Sequence, residues 1–264
     1  MKKNAERSLL IQLNKFIAST GYCSRRQAAD LIKKGLVKVN GIIVKTPYTK
    51  VSASDFVSVK NKKLSVDQKV YVLLNKPKDY VTTVADERGR KTVVDLVKSL
   101  TKKRVYPVGR LDRTTTGLIL LTNDGELTQK LSHPKYEIKK VYTVVLDAPL
   151  NVEHIQQLKV GVNLKDGRTV VDAISIVPYS KRKKIKVQLH SGKNRIVRRL
   201  FHYFDYTVVR LDRINYAGLT KRGLPLGKAR FLTRKEIDSL KGNADAAKTD
   251  KKTKRDYKTK KTRR

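Results

Sequence analysis

The chain has 264 residues, of which 61 are Lys or Arg and 23 are Asp or Glu, so its formal net charge is +38. That excess is far larger than solubility requires, and it predicts a polyanionic partner. Hydrophobic residues make up 39% of the chain, which excludes wholesale disorder and allows one or two folded domains. No apolar stretch reaches the length of a membrane span and no signal-peptide pattern follows the opening Met-Lys-Lys, so we expect neither insertion into a membrane nor secretion.

Cysteine and histidine are sparse. Cys23 is the single cysteine and cannot form an internal disulfide, and the four histidines are scattered rather than placed at metal-ligand spacing. We therefore expect a cytoplasmic protein without a metal site.

The first 65 residues combine a high basic charge with helix and hairpin patterns. They hold fourteen basic and three acidic residues. Two helices are predicted, and the second has Ser24 as its N-cap and Gly35 after its last turn. The Asn40-Gly41 pair separates two β-branched runs and predicts a hairpin, followed by a strand over residues 56–60. The first helix is predicted to end near Gly21, and its apolar face consists of Leu9, Leu13, Phe16 and Ile17.

Residues 9–65 resemble an S4 domain, through the segments 13–17, 21–28 and 31–41. That family places two helices and a small sheet against structured RNA, reading backbone shape and 2′-hydroxyl groups. The resemblance implies RNA contacts at four basic residues, although each of them taken alone could equally be a solvated surface charge. They are Arg25, Arg26, Lys33 and Lys38.

Longer strands begin at Val70 and indicate a second domain. Apolar runs over residues 70–74, 117–122, 141–146 and 185–189 alternate with helical segments such as 152–160, which predicts an α+β fold on a largely antiparallel sheet. We therefore divide the chain into a flexible N-terminus (1–8), the S4-like domain (9–65), a linker (66–69), the second domain (70–240) and a tail (241–264). The tail carries eleven Lys or Arg without Leu, Ile, Val or Phe, so we expect it to be disordered and to add affinity for RNA.

One carboxylate stands out in the second domain. Asp112 lies between Arg110 and Arg113, in a loop predicted to enter a buried strand. In a locally extended backbone Arg110 and Asp112 point to the same side. A neighbouring cation favours the ionised carboxylate that a nucleophile requires. From these residues alone, a surface salt bridge is the simpler explanation.

Residues 107–125 nevertheless resemble the signature of the pseudouridine synthases in the RsuA/RluB branch, with Gly-Arg-Leu-Asp followed by Thr-X-Gly-Leu and Leu-Leu-Thr-Asn-Asp-Gly. The resemblance implies that Asp112 is the catalytic aspartate. The family's Lys-X-Tyr motif matches residues 140–142, which implies that Tyr142 stacks on the flipped uracil. The basic motif matches residues 190–201, which implies that Arg198 pairs with the aspartate. The family usually has Gln at position 196 and Glu at position 191, where this chain has Ile and Ser.

The same resemblance implies the activity. We expect an enzyme that flips a uridine of ribosomal RNA out of its stack and isomerises it without a cofactor or a metal. Details of the motifs favour 23S rRNA near the peptidyl-transferase centre, either free or in an assembly intermediate; the alternatives are a 16S rRNA enzyme and a non-catalytic S4 protein that binds rRNA. We expect a monomer. Further RNA contacts are expected at Arg110, Arg113, Lys140, Arg195 and Arg199.

Overall fold

The computed structural model describes residues 10–52 and 54–242, which form two compact units with the boundary between Val70 and Tyr71. The predicted flexible N-terminus and residues 243–264 of the predicted tail lie outside the described residues. Lys241 and Gly242, which the sequence analysis assigned to the tail, are instead helical. The helix continues to them because Leu240 is fully buried in the core of the second unit.

The N-terminal unit is two helices on small antiparallel sheets. Its strands pair in the order β3-β2-β5-β6, and β1 pairs separately with β4. One apolar core joins the helices to the strands, and Leu13, Ile17 and Ile32 are fully buried there. The elements are β1 (Ile11–Gln12), α1 (Leu13–Ser19), α2 (Arg25–Lys33), β2 (Val37–Val39), β3 (Ile42–Ile43), β4 (Lys50–Val51), β5 (Val57–Val59) and β6 (Lys62–Lys63).

The predicted start of the first helix is wrong. Helix α1 begins at Leu13 because the two residues before it form β1, which pairs with Lys50 and Val51. Leu9, which the prediction placed on the apolar face of this helix, lies outside the described residues. A two-residue strand has no periodicity, so the sequence does not reveal it.

Both ends of α2 and the following hairpin have the predicted geometry. The side chain of Ser24 accepts a hydrogen bond from the backbone N–H of Gln27, and the side-chain oxygen of Gln27 accepts one from the backbone N–H of Ser24. At the other end Gly35 has φ +69°, and the N–H of Leu36 reaches the carbonyl of Leu31. Positive φ at both Asn40 and Gly41 gives the hairpin turn whose twist matches its strands.

The C-terminal unit is built on one nine-stranded sheet. Seven of its strands follow the order β13-β14-β10-β15-β9-β7-β17, while β8 pairs with β9 and β16 pairs with β15. Every pairing is antiparallel except that of β9 with β15, so the predicted α+β fold on a mostly antiparallel sheet is confirmed. Strands β11 and β12 pair separately with each other. The strands of the unit are β7 (Tyr71–Lys76), β8 (Tyr106–Pro107), β9 (Thr116–Thr122), β10 (Lys140–Leu146), β11 (Val162–Leu164), β12 (Gly167–Thr169), β13 (Ala173–Ile176), β14 (Lys184–Leu189), β15 (Val208–Tyr216), β16 (Leu219–Thr220) and β17 (Ala229–Phe231).

Helices lie between these strands. They are α3 (Gly125–Ser132), α4 (Val152–Val160), α5 (Ile196–His202) and α6 (residues 234–242), with short 3₁₀ turns at Asp95–Val97 and Pro134–Tyr136. None of the helices in residues 10–52 and 54–242 is long and apolar enough to cross a membrane.

The parallel contact between β9 and β15 requires a glycine. Gly117 faces Arg213 across it and has φ +107°. A side chain at this position would place Cβ 2.5 Å from the backbone nitrogen of Arg213 and closer still to its carbonyl oxygen. Neither backbone can move without breaking the strand pairing.

Gly117→Ala should therefore lower the free energy of unfolding by about 3 kcal/mol or more, from backbone strain and overpacking together. Urea unfolding followed by circular dichroism measures this. Gly192→Ala is the matched control, since nothing lies within 4 Å of the added Cβ and its φ is not positive. Equal stability of the two variants would contradict the requirement.

Candidate active site

A cavity of about 150 Å³ opens in the C-terminal unit, where the loop before β9 meets β10, β15 and the start of α5. Apolar side chains such as Leu211 and Ile196 form part of its wall. Its polar lining brings together residues that are far apart in the sequence: Arg110, Asp112, Thr115, Lys140, Tyr142 and Arg213. The cavity therefore combines one carboxylate, several cations and an aromatic ring.

The loop that carries Asp112 is held by backbone hydrogen bonds. The hydroxyl of Thr82 donates to the carbonyl of Leu111 at 2.7 Å and accepts from its N–H at 3.2 Å. Gly109 supplies a turn with φ +72°, and the N–H of Thr115 closes a further turn on the carbonyl of Asp112. These contacts fix the loop from both sides, and the Asp112 side chain remains 34% exposed at the cavity.

Lys76, at the end of β7, supports the same loop. It is fully buried, and its ammonium group donates to the carbonyls of Pro77 and Arg113 at 2.8 and 3.2 Å. Burial lowers the pKa of Lys76 to about 8, although the carboxylates of Asp79 and Asp112 act in the opposite direction. The lysine thus ties the loop to the sheet and adds a positive field behind Asp112.

Arg198 faces Asp112 from helix α5. Its Nε atom lies 3.9 Å from Oδ2 of Asp112, while Nη1 donates to the carbonyl of Val208 at 2.7 Å. Its side chain is only 17% exposed. Burial, followed by repulsion from Arg195, lowers the pKa of Arg198, and Asp112 raises it. The structure therefore brings together Asp112 and Arg198, which the sequence predicts as a pair. The hydrogen bond to the carbonyl of Val208 holds Arg198 in place independently of Asp112.

Tyr142 reaches the cavity from β10. Its register partners are Val187 on β14 and Arg213 on β15. The pairing with β15 is irregular between Val141 and Tyr142, and such irregularities change the direction in which a side chain points. Tyr142 is 9% exposed and lies in the cavity wall. Its aromatic ring, which the sequence predicts as the stacking ring, is therefore within reach of a base in the cavity.

Lys140 lies two residues earlier on the same strand and also lines the cavity. Its ammonium group donates to the carbonyls of Ile138 and His190 at 3.0 and 2.8 Å. Burial, followed by repulsion from Arg213, lowers the pKa of Lys140 to about 8, whereas Asp172 acts in the opposite direction. Two of the hydrogen bonds that the Lys140 ammonium group can donate are thus made within the protein.

The other predicted basic residues fall into two groups. Arg110 and Arg195 are exposed and line the cavity. Arg113 and Arg199 are not part of its lining, because each forms an ion pair elsewhere. Arg113 contacts Asp79 at 2.7 Å, and Arg199 holds Asp166 through two hydrogen bonds of 2.9 and 2.8 Å.

The four basic residues predicted in the N-terminal unit lie at three places. Arg25 and Arg26 open α2 and are exposed, and Lys33 is exposed in its last turn. Lys38 is half-buried in β2 and donates to the side-chain oxygen of Asn61 at 3.3 Å.

Sequence reasoning missed Arg213 and Lys76. Both are buried cations in strands, where the alternation of polar and apolar residues predicts a solvated charge. Lys76 precedes a proline, a pattern that is typical of a loop. Arg213 is followed three residues later by Tyr216, on whose ring it stacks at 4.5 Å, and no spacing rule for strands predicts that contact.

Comparisons with known proteins assign both units of the chain to families. Residues 70–203 match the family described as RNA pseudouridylate synthase, and residues 12–57 match the S4 domain. The ribosomal large subunit pseudouridine synthase B of Bacillus subtilis is 42% identical over 240 residues, covering 90% of this chain and 98% of that protein. An uncharacterized RNA pseudouridine synthase of Aquifex aeolicus is 38% identical, covering 87% and 93%.

A solved structure leads to the same class. A crystal structure of a pseudouridylate synthase superposes with a TM-score of 0.62 at 28% identity, covering 87% of this chain and 99% of that one. The fold is that of an RNA-modifying isomerase that carries an S4 domain. The chain belongs to the RNA pseudouridylate synthase family, and the resemblance predicted from its motifs is confirmed.

The buried Lys76 should make stability depend on pH. Its pKa is about 8 in the folded chain and 10.5 at its ordinary value, so between these values the unfolded chain binds more protons than the folded chain. The contribution of Lys76 to the free energy of unfolding therefore rises with pH across this window.

Relative to the Lys76→Met variant, the native protein should become more stable from pH 8 to pH 10.5, as measured by urea unfolding at fixed ionic strength. Lys78→Met removes an exposed lysine two residues away and is the control for the change in net charge. A difference between native and Lys76→Met that stays constant over this range would contradict the assignment.

Proposed function

We propose that this protein converts a specific uridine of ribosomal RNA to pseudouridine, and that its target lies in 23S rRNA near the peptidyl-transferase centre. The observation that carries the proposal is the partly exposed carboxylate of Asp112, which lines the same cavity as Tyr142 and lies 3.9 Å from Arg198. A non-catalytic S4 protein would account for the charge but not for this arrangement.

The reaction is an isomerisation. The uracil is detached from the ribose, rotated and rejoined through its own ring carbon, so no atom enters or leaves. The target nucleotide must first leave its stack, which costs a few kcal/mol. Contacts between basic side chains and phosphates offset this cost, and the formal charge of +38 supplies many of them.

Within the cavity each residue has a distinct role in the proposal. The ionised Asp112 attacks the nucleotide or removes a proton from it. Arg198 keeps the carboxylate charged and in place, because its own position is fixed by the carbonyl of Val208. Tyr142 stacks on the flipped base. Lys140, Arg110 and Arg195 line the cavity and are suited to contacts with the RNA around it.

Replacing the carboxylate tests the chemistry. Asp112→Asn should reduce conversion by roughly 10⁴-fold or more, because the amide has neither the charge nor the basicity of the carboxylate. Affinity for the RNA should change little, since phosphate contacts dominate it. Carbodiimide primer extension measures conversion and a filter-binding assay measures affinity.

Asp79→Asn is the control for that experiment. Asp79 is an exposed acid on the neighbouring loop that pairs with Arg113 and does not line the cavity. This variant should keep near-native activity. Normal turnover by Asp112→Asn would contradict the proposed role of the carboxylate.

Two observations favour 23S rRNA as the target. They are the details of the motifs and the similarity to the Bacillus subtilis relative, whose name assigns it to the large ribosomal subunit. Mapping pseudouridines in both rRNAs of a deletion strain and its parent tests this target. One 23S site should disappear and should return when the native gene, but not the Asp112→Asn gene, is restored. Loss of a 16S site alone would replace this target with the small-subunit one.

A further inference from the structure

Three buried polar atoms at the candidate active site have no hydrogen-bond partner. Across the described residues, five buried side-chain nitrogen or oxygen atoms lack a partner. Thr115 Oγ1 and Arg213 Nη2 belong to residues that line the cavity, and Arg198 Nε faces Asp112. Burying such an atom without a partner is costly, and more so for a charged group. Thr115 Oγ1 and Arg213 Nη2 are therefore available for hydrogen bonds to a molecule that enters the cavity.

Arg213 is the most constrained of the three. It is 3% exposed, and Nε donates to the carbonyl of Leu118 at 2.7 Å. Its guanidinium lies over the ring of Tyr216, with 4.5 Å between the guanidinium carbon and the ring centroid. It forms no ion pair with a carboxylate in the described parts of the chain. The side chain is thus rigidly held and charged, with donor capacity left over.

Its position places this capacity beside the stacking ring. Arg213 is the cross-strand partner of Tyr142, and directly opposed side chains on neighbouring strands lie about 5 Å apart at Cβ. A base stacked on Tyr142 would therefore have one edge next to Arg213. Guanidinium nitrogens only donate hydrogen bonds, so the edge must present an acceptor. The carbonyl oxygens of uracil are such acceptors.

We propose that Arg213 donates a hydrogen bond to a carbonyl oxygen of the flipped uracil and thereby fixes the orientation of the base in the cavity. This inference rests on the proposed function. It assigns a role to a residue outside the segment that matches the family, which ends at residue 203. An orientation contact matters for this reaction, because the base must present a carbon in place of a nitrogen to the ribose.

The experiment pairs a change in the protein with a change in the base. Arg213→Met removes the donors and keeps similar volume, and the target uridine is replaced by 2-thiouridine or 4-thiouridine, whose sulfur is a poor acceptor. In the native protein one of these substitutions should lower kcat/KM by about 10- to 100-fold, the range for a hydrogen bond to a charged group. In Arg213→Met the same substitution should have almost no further effect. Nucleoside chromatography of digested RNA measures the product.

Two more variants complete the design. Arg210→Met removes an exposed arginine from the same strand and should retain the native response to sulfur. Arg213→Lys keeps the charge but lacks the Nη2 donor, so it should also lose most of that response; it replaces the methionine variant if the latter does not fold. Circular dichroism checks folding in each case.

The outcomes separate this inference from the function on which it rests. If the native protein forms no pseudouridine in any rRNA, the proposed function fails. If the native protein is active, and each sulfur substitution lowers kcat/KM by the same factor in native, Arg213→Met and Arg213→Lys proteins, the function stands and the role of Arg213 is wrong.

Discussion

Two residue pairs hold the two halves of the large sheet together. Strands β9 and β15 pair only through Thr116 with Asp212 and Gly117 with Arg213, and they are the parallel neighbours in an otherwise antiparallel sheet. Side chains reinforce this short contact. The hydroxyl of Thr116 donates to Asp212 at 2.9 Å, and Nε of Arg213 donates to the carbonyl of Leu118 at 2.7 Å. The candidate active site lies at this junction because the loop carrying Asp112 leads directly into β9.

The junction explains why so many cations can surround one carboxylate. Lys76 lies on β7, Arg213 on β15 and Arg198 on α5, and each donates to a backbone carbonyl. Carbonyl oxygens offset part of the cost of burying a charge without neutralising it. The cavity therefore keeps a positive field around the carboxylate of Asp112.

Local chemistry made much of the fold predictable. The hairpin at Asn40-Gly41 and the cap at Ser24 depend on residues next to each other, and both have the expected geometry. Four strands of the C-terminal unit (β7, β9, β10 and β14) and helix α4 follow from apolar patterns. The long motifs predict Asp112, Tyr142 and Arg198 as site residues, and the structure places the first two in one cavity and Arg198 against Asp112. The burial of Arg213 was not predictable, because the sequence pattern does not distinguish a buried arginine from an exposed one. Its burial depends on contacts with the ring of Tyr216 and the carbonyl of Leu118, which only the structure shows. The ion pairs of Arg113 with Asp79 and of Arg199 with Asp166 could not be predicted either, because each joins residues that are distant in the sequence.

The contact between Gly117 and Arg213 also determines when the cavity can form during folding. The antiparallel pair of β7 and β9 and that of β10 and β14 each involve nearer neighbours in the chain, whereas β9 and β15 are separated by α3, β10 and everything up to α5. Closing a long loop costs more chain entropy than closing a short one, and distant contacts slow folding. A chain that has formed only these two strand pairs therefore has Asp112 and Tyr142 in separate halves of the sheet, and the candidate active site forms at the step that joins the two halves.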